Sequence, residues 1–82
     1  MLAACTAGSG VKDRVEGAGS DNLLKLRAGP GLGFRVIFGL PDGTELIRRD
    51  CVTENSQLWC KVALADAPHI DGYVSADYLS NF

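Results

Sequence analysis

The stretch LKLRAGPGLGFRVIFGL, residues 24–40, sets the tightest limit on what this chain can fold into. Leu24 and Leu26 alternate with Lys25 and Arg27, the period of a strand with one buried and one wetted face. Gly29, Pro30, Gly31 and Gly33 then interrupt the pattern, and Phe34, Arg35, Val36, Ile37 and Phe38 resume it with aromatic and β-branched residues. A phosphate-gripping loop needs its glycines to open a helix, where free N–H groups and the helix dipole face the anion. Residues 34–40 are strand formers instead, and the glycine spacing fits neither G-x-G-x-x-G nor G-x-x-x-x-G-K-[ST]. The break therefore reads as a sharp reversal between two strands, and no nucleotide or other cofactor is expected.

The same alternation of short apolar runs and turn residues continues downstream. Residues 34–40 read as a second strand, apolar enough to be covered in part on both sides. Pro41, Asp42 and Gly43 form a turn, since Pro presets φ, Asp bonds the turn backbone and Gly accepts positive φ. A third strand follows over residues 44–52. A polar loop, residues 53–57, precedes a fourth strand with the sequence LWCKVAL at residues 58–64. A second loop, residues 65–71, holds Pro68 and His69 before a final strand around Tyr73 and Val74. Ser75, Ala76 and Asp77 read as one helical turn, after which Tyr78 and Leu79 pack back. Strands this short and this evenly punctuated predict a small all-β barrel or sandwich. Residues 1–22 carry too few large apolar side chains to repay the entropy of ordering them. They read as a flexible leader, with the folded domain over residues 23–82.

Composition enters where function is concerned. The chain has 82 residues, room for one core with marginal stability. Its formal charge is −2, and the basic residues are interleaved with acids, so the cationic face that nucleic acid requires is absent and nucleic acid is not an expected partner. Cys5, Cys51 and Cys60 lack the close pairing of zinc ligands, and His69 alone does not complete a set, so no metal is expected. A Cys-His nucleophile needs a base in reach and a third group to orient it. The chain offers no such constellation, and its acids are scattered through turns, so no catalytic residues and no enzymatic activity are expected. No run reaches the roughly 18 apolar residues of a membrane-spanning helix.

Three segments together resemble a known family, the bacterial Src-homology-3-like (SH3b) domains. LKLRAGPGLGFRVIFGLPDGTEL is similar to that family's L-x-V/L-R-x-G-P-G strand and loop, followed by an aromatic, V-I and L-P-x-G-T. LWCKVAL resembles its G-W-Y-K-V strand, with Trp59 at the Trp position and Cys60 in place of the usual aromatic. DGYVSADYL resembles its G-W-V-S-x-x-Y-L ending. The likeness runs from Leu23 to about Ser80, in the right order and spacing. It implies a five-stranded, partly open SH3-like barrel with a short 3-10 turn near the C-terminus, and a binding module rather than a catalyst. Many such modules sit in bacterial envelope proteins and hold peptidoglycan or peptides of other proteins. The ending also resembles the G-Y-I-P-S-N-Y-V of the eukaryotic relatives, whose aromatic groove receives extended ligands. Position by position, Trp59 and Tyr78 fall on groove aromatics, Ser75 replaces the Pro and Asp77 the Asn, while the relatives' A-L-Y-D-Y motif is missing.

A groove of this kind stacks flat aromatic faces against an extended chain and fixes its direction with hydroxyl and indole N–H groups. Trp59 and Tyr78 are the first candidates, with Phe34 either lining the groove or capping the loop and Tyr73 at a position the family gives to a structural aromatic. Asp77 and Arg27 complete the candidate ligand-binding set. The guanidinium of Arg27 has loop carbonyls, Asp42, Asp77 or a ligand carboxylate as prospective acceptors. Cys51 and Cys60 flank the polar loop near its base, so antiparallel strands would set them opposite one another. In an exported domain a disulfide between them is expected. Leu2, Ala3, Ala4 and Cys5 resemble the L-A-[GA]-C site at which bacterial lipoproteins are lipidated on the cysteine, which would make residues 1–22 a tether. These readings place a monomer in the cell envelope or periplasm, touching the membrane only through a lipid at Cys5. Its expected ligand is peptidoglycan or a protein segment, and a domain that serves one dedicated envelope protein is the alternative.

Overall fold

The computed structural model describes residues 10–80. Six strands form one antiparallel sheet: β1 (Val11–Arg14), β2 (Leu24–Arg27), β3 (Val36–Leu40), β4 (Glu45–Glu54), β5 (Gln57–Leu64) and β6 (Ala67–Ser75), followed by one 3-10 turn at Ala76–Tyr78. Their spatial order is β1-β4-β5-β6-β2-β3. The five strands expected from the sequence are β2 to β6, and β1 is an addition.

The alternation that predicted β2 is realised in its burial, with Leu24 and Leu26 inside and Lys25 outside. Leu40, Leu46, Cys60, Val62 and Val74 meet them in the core, closed at one end by Val15, Ala76 and Leu79. β4 is ten residues long, and its pairing with β5 slips between Arg48 and Cys51. Such a bulge sharpens the local twist and lets one long strand bend around a small barrel. The turn between β4 and β5 is two residues, Asn55 and Ser56, both at positive φ. That backbone matches the right-handed twist of a hairpin, so the polar loop of residues 53–57 contracts to a tight turn and Thr53 pairs with Leu58.

The turn before β4 is held as its residues demand. Gly43 sits at φ 90°, and the Thr44 hydroxyl donates to the Pro41 carbonyl at 2.7 Å. At Gly72, β6 passes so close to β2 that a Cβ would lie 2.6 Å from the Arg27 carbonyl oxygen.

Three expectations are corrected. Residues 11–22 are not a flexible leader: β1 pairs with β4 from Val11 opposite Arg48 to Arg14 opposite Glu45. Val15 is fully buried, bridged to Leu79 and bonded to Thr44 and Gly43 through its N–H and C=O. Asp13 is buried against Arg48, whose Nε lies 2.7 Å from the Asp13 carboxylate. The carboxylate of Asp42 accepts from the Ala18 and Gly19 amides. Nonlocal partners thus supply the ordering that local hydrophobicity lacks. Second, residues 65–71 are not a loop. Ala65 and Asp66 make the turn, and Pro68 and His69 lie exposed in β6, where the pairing with β5 slips between Ala63 and Leu64. Proline has no ladder donor to lose at such an irregularity. Third, β3 is not covered on both sides. It is the last strand of the sheet, and only Leu40 of its five residues is buried.

Candidate binding cleft

Two adjoining clefts, of about 360 and 430 Å3, share one wall made by Leu32, Trp59, Ser75 and Tyr78. The wall exists because Trp59 on β5 pairs directly with Ser75 at the end of β6. The 3-10 turn then carries Tyr78 round beside them. Ser75 caps that turn, its hydroxyl accepting from the Asp77 amide. Gln57 ties the same corner together, its side-chain amide donating to Ser75 Oγ at 2.9 Å and reaching Asp77 Oδ2 at 3.4 Å.

Leu32 reaches the wall from the Gly-rich loop, which Arg27 organises. Its guanidinium donates to the carbonyls of Leu32 (3.2 Å) and Phe34 (3.0 Å). Of the acceptors considered from the sequence, loop carbonyls are the ones engaged. Asp42 is turned to the backbone of Ala18 and Gly19, and Asp77 to Gln57. The Phe34 ring lies over Gly29 and Gly31, so it caps the loop.

The clefts differ in charge. Lys25 and Arg27 line the first, with Ala18, Asn22, Leu23 and Leu24; Glu54 and Asp77 line the second, with Asn55 and Gln57. A shared apolar and hydroxyl wall therefore runs from a basic end to an acidic end.

Of the six candidate ligand-binding residues, the structure brings together Trp59, Tyr78, Arg27 and Asp77 around this wall. Phe34 and Tyr73 line neither cleft; Tyr73 sits within the sheet, paired with Arg27 and Lys61. Trp59 is only 6% exposed, whereas Tyr78 is 37% exposed. Leu32, Gln57 and Glu54 were not singled out from the sequence, and Ser75 was placed only as the replacement for the relatives' Pro. The contact of Gln57 with Ser75 is legible only once the β5-β6 register is known. Cys51 and Cys60 are directly paired across β4 and β5 and form a disulfide. Cys5 and the LAAC segment lie outside the described residues. Among the described residues no three His, Cys, Asp or Glu side chains gather closely enough to hold a metal ion.

The description of the bacterial SH3 domain matches residues 21–80. The chain belongs to the bacterial SH3 domain family. The match spans β2 through the 3-10 turn, leaving β1 as an N-terminal addition to the SH3 domain. No curated protein and no solved structure matches the chain. Membership makes the domain one of a family of binding modules, generally non-catalytic.

Proposed function

We propose that this SH3 domain is a non-catalytic module of the cell envelope that holds an extended peptide, from peptidoglycan or from a protein, along the wall formed by Leu32, Trp59, Ser75 and Tyr78. The observation that carries this reading is that shared wall. A mostly buried indole, a half-exposed phenol and a serine line both of two clefts of opposite charge. Such a surface offers stacking area with a few oriented polar groups, the ordinary make-up of a peptide groove. Lys25 and Arg27 at one end and Glu54 and Asp77 at the other give the ligand a direction, carboxylates toward the first and amines toward the second.

The Cys51–Cys60 disulfide supports an oxidising compartment, and the LAAC segment supports a lipid at Cys5. With β1 in the sheet, the folded part begins by Val11 rather than near Leu23.

Co-sedimentation with purified sacculi tests the reading. The wild-type domain pellets, and Tyr78→Ala and Leu32→Ala lose the interaction while melting at the wild-type temperature. Both side chains are exposed enough to be replaced without opening the core. A wild-type domain that stays in the supernatant removes the wall reading. Crosslinked pulldown from the native envelope then reports whether one stoichiometric protein takes its place.

A further inference from the structure

β3 is the last strand in the sheet and is paired on one side only among the described residues. Edge strands of soluble proteins are ordinarily blunted by Lys, Pro or a covering loop, because their open row of N–H and C=O groups templates further pairing. Here Val36, Ile37 and Phe38 are all exposed, Phe38 by 47%. Leu23 and Phe34 flank them in the same condition, so the β2-β3 hairpin carries a concentrated share of the exposed apolar surface. Patches of that kind mark interaction surfaces.

Charge says what kind of partner fits. Residues 23–40 contain Lys25, Arg27 and Arg35 and no acid, whereas all ten acids of the chain lie elsewhere. A second copy docking through the same edge would set cationic hairpin against cationic hairpin, and like charges opposed across strands are destabilising. An anionic lipid surface would satisfy the charges, yet it would leave the edge backbone groups without partners. An extended polypeptide satisfies both.

We propose that the free edge of β3 takes up an acidic, extended protein segment as a seventh strand of the sheet. Main-chain hydrogen bonds supply affinity, Val36 to Phe38 supply apolar contact, and Arg35 selects acidic side chains. Strand addition of this type is an established mode of peptide recognition. The site is separate from the Trp59 and Tyr78 wall, so the two can be tested apart.

The experiment uses the isotope-labelled full chain and two capped seven-residue probes, one alternating Glu and Val, the other Lys and Val. Phosphatidylglycerol vesicles and sedimentation equilibrium are run alongside. The Glu-Val peptide is expected to shift and protect β3 amides without moving Trp59 or Tyr78, and the Lys-Val peptide to have no effect. Arg35→Glu, an exposed change that leaves the melting temperature in place, is expected to weaken Glu-Val binding by roughly tenfold through charge reversal at the rim. Equal response to both peptides, or to neither, overturns the proposal. So does binding to vesicles alone, or a dimer that protects β3.

Discussion

Replacing Asp13 by Ala should destabilise the domain more than almost any other change to a charged residue. The Asp13 side chain is 0% exposed and that of Arg48 18%, with 2.7 Å between the carboxylate and Nε. Removing one partner of a buried pair takes the counter-charge from the other, at a cost of about 3–5 kcal/mol. Because the guanidinium of Arg48 keeps some contact with solvent, the lower end applies, about 3 kcal/mol. In a domain of this size each kcal/mol moves the melting temperature by about 4–8 °C, so a fall of roughly 12–24 °C is expected. Trp59, the single tryptophan, is only 6% exposed and reports unfolding by fluorescence. The double variant Asp13→Leu with Arg48→Met should recover most of the loss, since an apolar pair of similar volume can replace a buried ion pair at little net cost. If Asp13→Ala melts within 2 °C of wild type, about half a kcal/mol or less, the packing of β1 against β4 is wrong and residues 11–15 behave as a leader.

Other outcomes follow from single contacts. Cys51→Ser with Cys60→Ser opens a short covalent loop whose ends are nine residues apart. Chain entropy puts the loss at about 2.7 kcal/mol, read as a lower denaturant midpoint in non-reducing buffer. Gly72→Ala places a methyl 2.6 Å from the Arg27 carbonyl oxygen and should cost about 1–3 kcal/mol as β6 and β2 move apart; equal melting temperatures would show the contact to be slack. Trp59→Ala empties a 94% buried site and should lose about 3–5 kcal/mol, so its loss of ligand would report unfolding, unlike that of Tyr78→Ala.

Local signals carried much of the fold. The Leu24–Leu26 alternation, the Pro41-Asp42-Gly43 turn, the helical turn expected at Ser75-Ala76-Asp77 and found one residue on at Ala76–Tyr78, and the opposition of Cys51 and Cys60 all depend on neighbours in sequence or on one short hairpin. β1 depends on partners far along the chain. It pairs with β4 and sets Asp13 against Arg48, and Val15 just after it is held by Thr44 and Leu79; no window of residues 1–22 contains these partners. The exposure of β3 is similar in kind, because an apolar run looks the same whether a neighbouring strand covers it or the sheet ends there. At the site, family likeness pointed to Trp59 and Tyr78, which line both clefts, and also to Phe34 and Tyr73, which line neither; the depth of each was not legible. Trp59 was a stacking candidate and lies mostly in the core, while Leu32 is brought to the wall by the two carbonyl bonds from Arg27.

The central claim, that the Leu32, Trp59, Ser75 and Tyr78 wall is where ligand binds, is tested most directly by titrating the isotope-labelled domain with soluble peptidoglycan fragments. The account predicts saturable shifts at the Trp59 indole N–H, Leu32 methyls, Ser75 amide and Tyr78 ring, with β1 and the β4-β5 turn unmoved. Saturable shifts confined to another face, or none at millimolar fragment, would contradict it.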